Sequence, residues 1–180
     1  DVASALLDGS SPTSDEEVVR PATITNPERR IILPSRKHGI YSYPDLIVDM
    51  HRLGYDVTVE KAAKELGITV ANSGKEKDGH EYVGNINWET ALKLNQNLGN
   101  ITLNPRQFID LRELLEAGID KNKKVYDGRG RPIALAVLKK IYNEITEKRD
   151  PWRSEWLDAR FANIGSSLGI NYDYRLVNGN

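Results

Sequence analysis

The chain has 180 residues, 28% charged and 39% hydrophobic, a formal net charge of -1 and no cysteine. That length can bury a core without cross-links, and the composition is that of a soluble globular chain. The missing thiols exclude disulfide frameworks, thiolate zinc sites and cysteine nucleophiles, while the near-zero charge argues against a basic footprint spread over the whole molecule.

Residues 1–27 read as an acidic tail, because DGSSPTSDEE is small and polar and the segment carries few apolar groups. RRIIL (29–33) reads as a short strand ended by Pro34, and SRKHGIYSYP (35–44) as a loop with two tyrosines. Leu46, Ile47, Met50 and Leu53 predict a helix over 45–53, stopped at Gly54. Val59, Ala62, Ala63 and Leu66 predict a second helix, stopped at Gly67. The polar stretch 71–81 reads as a mobile excursion.

Two helices then follow with their boundaries written in. Asn87 caps the first and Gly99 ends it. Asn104 caps the second, Pro105 takes its first position, Gln107 completes a capping box and Gly118 stops it. Trp88, Phe108 and Leu111 are expected in the core of this pair. Asp127-Gly128-Arg129-Gly130 reads as a turn, and Pro132 as the start of an amphipathic helix through Ile145. Pro151 breaks that helix. Residues 151–161 are read as a further turn or two of helix, with Trp152 and Trp156 on one face closing the core. A strand over 169–177, reached through a turn at Gly165–Gly169, ends the pattern.

The candidates for chemistry are few. Arg29, Arg30, Arg36, Lys37 and His38, beside Tyr41 and Tyr43, can meet phosphates and stack on bases, or can simply protect an edge strand. TVEKAAKELGIT (58–69) has the grammar of the first half of a helix-turn-helix, yet two glycines and no apolar spacing follow it. The preferred reading there is a small amphipathic helix with a glycine cap. His38, His51 and His80 show no metal-ligand spacing and are expected to be solvated. Asp45, Asp49, Asp110 and Asp158 are likewise expected to be ionised in water beside basic neighbours. No catalytic residue, metal or cofactor is therefore expected.

The pattern W-E-x-A-x-x-L-x-x-x-L-G-N-x-x-L-x-P-x-x-F, spaced here from Trp88 to Phe108, resembles the opening helical part of the C-type-lectin-like and formylglycine-generating-enzyme-type fold. NPERRIILPSRKHGIYSYPDL (26–46), with DPWRSEWLDARF and INYDYRL, is similar to uncharacterised archaeal proteins, some ending in a retroelement-diversified C-type-lectin-like cassette. The resemblance implies the support part of a display protein. The formylglycine chemistry is not implied, because its cysteines are absent.

The fold expected is α+β, a single domain over 28–180 in which short helices pack on a few strands. The function expected is a non-enzymatic binding or scaffold module with a protein or surface ligand as partner. The rival is a small nucleic-acid-associated protein using the basic 29–41 segment. A third reading is a structural subunit of an oligomeric assembly. No run approaches the length of a membrane span.

Overall fold

A computed structural model describes residues 26–76, 79–148 and 156–172. It is an α+β fold whose described elements are a 3-10 turn Pro27–Arg29, eight strands and four helices. The strands are β1 Arg30–Leu33, β2 Arg36–His38, β3 Tyr41–Tyr43, β4 Leu46–Asp49, β5 Asn72–Lys75, β6 Glu81–Val83, β7 Ala159–Ile164 and β8 Ser167–Tyr172. The helices are α1 Val57–Glu65, α2 Trp88–Asn97, α3 Pro105–Asp120 and α4 Leu135–Thr146. Where one domain over 28–180 is expected, contacts gather into two units interleaved along the chain. The first holds Asp1–Met50 and Leu114–Asn143, the second His51–Glu113 and Glu144–Asn180.

In the first unit β1 pairs antiparallel with β4, and β2 with β3. Residues 45–53 are thus not the expected helix. Leu46 and Val48 are buried while Ile47 and Asp49 are less so, a period of two that matches Ile31 and Leu33 across the ladder. Branched Ile47 and Val48 favour that extended state. The segment 35–44 is a hairpin rather than a loop, its base held by the Ser35 amide donating to Asp45 Oδ1 at 2.6 Å. The last residues assigned to the tail are built into this unit: the Arg29 amide donates to Asn26 O and the Gly128 amide to Pro27 O.

Gly118 does not stop α3, which runs to Asp120. A Cβ there would lie 2.9 Å from both Leu138 Cδ1 and Val125 Cγ2, so glycine serves close approach. The chain leaves the helix at Asn122, which has φ 52, while the Lys121 and Lys123 amides both donate to Ala117 O. The helix expected from Pro132 begins at Leu135, because residues 126–132 are held as a turn bridged from Tyr126 to Pro132.

In the second unit Val59, Ala62, Ala63, Val83 and Leu94 form a buried cluster ringed by Leu53, Tyr55, Ile68, Val70, Ile86 and Leu98. Asp56 caps α1 by accepting from the Thr58 and Val59 amides. Gly67, at φ 66, then leads towards β5, so no recognition helix follows α1. The polar 71–81 stretch is partly strand: β5 and β6 pair around a bulge at Gly74, with Asn72 Oδ1 accepting from the Gly74 amide.

The helix pair follows its sequence signals. Asn87 Oδ1 accepts from the Thr90 amide and Gly99 ends α2 at φ 69. Asn104 and Gln107 exchange reciprocal 2.9 Å bonds, both side chains buried. Residues 156–161 are not helical. They enter β7, which pairs with β8 through a two-residue turn at Gly165–Ser166. Ser167–Gly169, expected in the turn, belong to the strand. Trp152, the rest of the expected helix and residues 173–177 lie outside the described residues.

Candidate functional sites

The basic segment divides between fold and surface. Arg30 Nη1 lies 3.4 Å from Asp49 Oδ2 across β1–β4, and the Arg29 carbonyl accepts from the Met50 amide. These two arginines therefore help hold the ladder. On the hairpin, Arg36 faces Tyr43 and His38 faces Tyr41 in register, so all four share one face, with Lys37 and Ser42 on the other. Tyr43 is buried and its ring centroid lies 6.0 Å from that of Tyr41. Arg36 and Lys37 are exposed, while His38 and Tyr41 are half-buried.

The two residues between β2 and β3 are Gly39 and Ile40. Gly39 has φ 61, whereas Ile40 is not among the left-handed residues, the signature of a type II′ turn. Ile40 is 106% exposed, at the apex of the hairpin.

A second basic stretch lies in the same unit. Asp127, 6% exposed, accepts from the Arg129 and Arg131 amides and pairs with the Arg131 guanidinium at 2.9–3.1 Å. Burial alone would raise its pKa. The two amide donors and the guanidinium outweigh burial, so the carboxyl sits below its usual value. Arg129 pairs with Glu28 at 2.7 Å. Those guanidinium groups thus have acid partners. Lys37, Lys121, Lys123, Lys124 and Lys139 are exposed and make no ion pair among the described residues.

The described part of this unit, 26–50 and 114–143, holds eleven Lys and Arg against six Asp and Glu, a net of +5. The whole chain reads -1 because residues 1–25 carry -4 and the second unit -2. The first unit, which also holds residues 1–25, thus nets +1, with its positive charge concentrated in 26–50 and 114–143.

The second unit contains a histidine cluster where solvated histidines are expected. The Tyr55 amide donates to Glu81 O and the Val83 amide to Leu53 O, laying residues 51–55 beside β6. His51 and His80 then meet with ring centroids 5.3 Å apart. His51 Nδ1 lies 3.1 Å from Glu76 Oε2, and His80 Nε2 lies 3.1 Å from Arg52 O. Glu76 has a side chain only 9% exposed, and its Oε1 has no hydrogen-bond partner. Arg52 lies 4.4 Å over the Tyr82 ring and pairs with Glu144 at 2.9 Å. Among the described residues no group of three His, Asp or Glu side chains is placed to hold a metal ion. The cluster ties the 51–55 segment to the β5–β6 hairpin and to Glu144.

Two of the acids expected in water are buried: Asp110 is 2% and Asp158 0% exposed. The Asp158 amide donates to Leu103 O, which draws it to the start of α3. Leu111 is buried, Phe108 and Trp88 half-buried. Trp156, expected in the core, is 44% exposed with its indole N–H donating to Ile86 O. It stands on the irregular approach to β7, where residues 156–158 are not helical.

No family model, curated protein or solved structure matches the chain. No helix among the described residues is long and apolar enough to cross a membrane.

Proposed function

We propose that this chain is a binding module for an anionic polymer, a nucleic acid, held by the lysines of its first unit. The observation that carries this reading is the net +5 of that unit's described residues, five of whose lysines make no ion pair among the described residues. A cation at the end of a helix can be explained by the helix dipole. That accounts for a single lysine after α3. It does not account for three within 121–124, nor for Lys37 on the hairpin. Such a concentration of exposed lysines is what phosphate contacts with counterion release would use.

The resemblance of Trp88–Phe108 to lectin-like supports offers a second reading, a display scaffold with a protein or surface partner. The residues that carry that resemblance serve as helix caps and packing groups, so they favour a scaffold and name no ligand.

The test is fluorescence anisotropy of a labelled duplex against salt. Wild type should bind at low salt and weaken steeply, the logarithmic slope being about -0.9 per phosphate neutralised. Changing Lys37, Lys121, Lys123 and Lys124 to Gln should flatten that slope. Binding that ignores salt, or no binding at all, would defeat the reading.

A further inference from the structure

Resting on that reading, we infer that the β2–β3 hairpin is a wedge for double-stranded DNA, with Ile40 entering a base step from the minor groove. The fold gives no reason for isoleucine at this position. A type II′ turn needs glycine first, which Gly39 supplies, and tolerates small polar residues second. Ile40 instead holds a large branched apolar group fully in water, 106% exposed, on a turn whose two residues are pinned by the His38–Tyr41 pair. It is the most exposed large hydrophobic side chain among the described residues.

Its neighbours choose the partner. Lys37, two residues before the turn, makes no ion pair among the described residues, and Arg36 is exposed one residue further back. An apolar tip with cations behind it matches a groove whose floor is stacked bases and whose walls are phosphates. Proteins that bend DNA through the minor groove use such a pair: an apolar wedge that unstacks a step, and basic groups that hold the flanking backbone. The geometry also requires deformation. Strands lie about 4.8 Å apart before side chains are added, and the B-form minor groove is roughly 6 Å wide. The tip enters only as the groove opens. Double-stranded RNA presents a wide, shallow minor groove and demands no wedge. A bilayer is the poorer match, since even a whole acyl chain anchors only marginally and one isoleucine is far less.

The full-length protein is titrated into a duplex of roughly 20–30 bp carrying end-labelled fluorophores and 2-aminopurine at a central TA step, the easily unstacked kind. Expected are end-to-end shortening that corresponds to a bend of ~20–90° and a rise in 2-aminopurine emission. Ile40→Ser should abolish both while affinity falls by less than about tenfold and the salt slope is kept, since the phosphate contacts persist. Ile40→Met should restore them. Ile40 is fully exposed, so these variants test the wedge and leave folding alone. A duplex bound but straight, or bent equally by Ile40→Ser, overturns the wedge and leaves the polyanion reading standing. Equal binding to duplex RNA, or Ile40-dependent binding to anionic vesicles, also overturns it. Failure to bind any duplex at low salt removes both readings together.

Discussion

The indole N–H of Trp88 donates to the carbonyl oxygen of Leu157 at 2.8 Å, joining the first residue of α2 to the approach to β7, 69 residues later in the chain. A half-buried ring with a satisfied polar edge contributes in two separable ways. Trp88→Phe should cost about 1 kcal/mol, the net worth of one such bond. Trp88→Ala should cost about 3–5 kcal/mol, as large-to-small changes in packed sites do. Urea titration followed by circular dichroism measures both. Equal losses for the two variants would mean that the ring packs little and the hydrogen bond is the whole effect.

Gly118→Ala should destabilise, although alanine is the better helix former by about 1 kcal/mol. The added methyl meets Val125 Cγ2 and Leu138 Cδ1 at 2.9 Å, and both residues are buried. A branched valine has little rotamer freedom with which to withdraw. Overpacking of this kind costs about 1–3 kcal/mol, enough to reverse the propensity gain. A raised melting temperature would show that the loop after α3 yields.

Asp127 gives an acid limb with a defined sign. Its folded pKa lies below the unfolded value of 3.8, so the stability it contributes is present above pH 3.8 and lost as pH falls through the folded value. Asp127→Asn keeps an oxygen for the Arg129 and Arg131 amides and loses the charge that pairs with Arg131. The variant should be less stable at neutral pH, and the gap should close in acid. A gap that is constant from pH 7 to pH 2 would sink the assignment.

His80 should carry its proton on Nε2, because that nitrogen faces the Arg52 carbonyl, which can only accept. Long-range 15N–1H correlation spectra at mildly alkaline pH report the tautomer directly. An Nδ1–H form would mean that residues 51–55 do not lie against the β5–β6 hairpin as described.

The parts of this fold that sequence declares are those whose partners lie within one helical turn. Asn87 and Thr90, or Asn104 and Gln107, are three residues apart, so their caps can be read without a structure. The 45–53 segment resists because Leu46, Ile47, Met50 and Leu53 fit helical spacing while Leu46 and Val48 also fit alternation. Only β1, whose Leu33 and Ile31 pair with Leu46 and Val48, decides between them. The hairpin at 36–43 is obscured by Gly39-Ile40, since isoleucine is no ordinary turn residue. The His51–His80 pairing has no local signal at all. It arises when Tyr55 and Glu81 pair, and nothing in either segment names the other. The basic segments are concealed differently: every lysine is visible, but the grouping of 26–50 with 114–143 exists only in space.

That grouping has a consequence for how the molecule is handled. Residues 1–25 hold -4 of a total of -1, so the stretch 26–180 by itself is +3. The intact chain and a fragment trimmed by twenty-five residues therefore belong to opposite ion exchangers at neutral pH. A preparation that suffers clipping near residue 25 will split between anion- and cation-exchange resin.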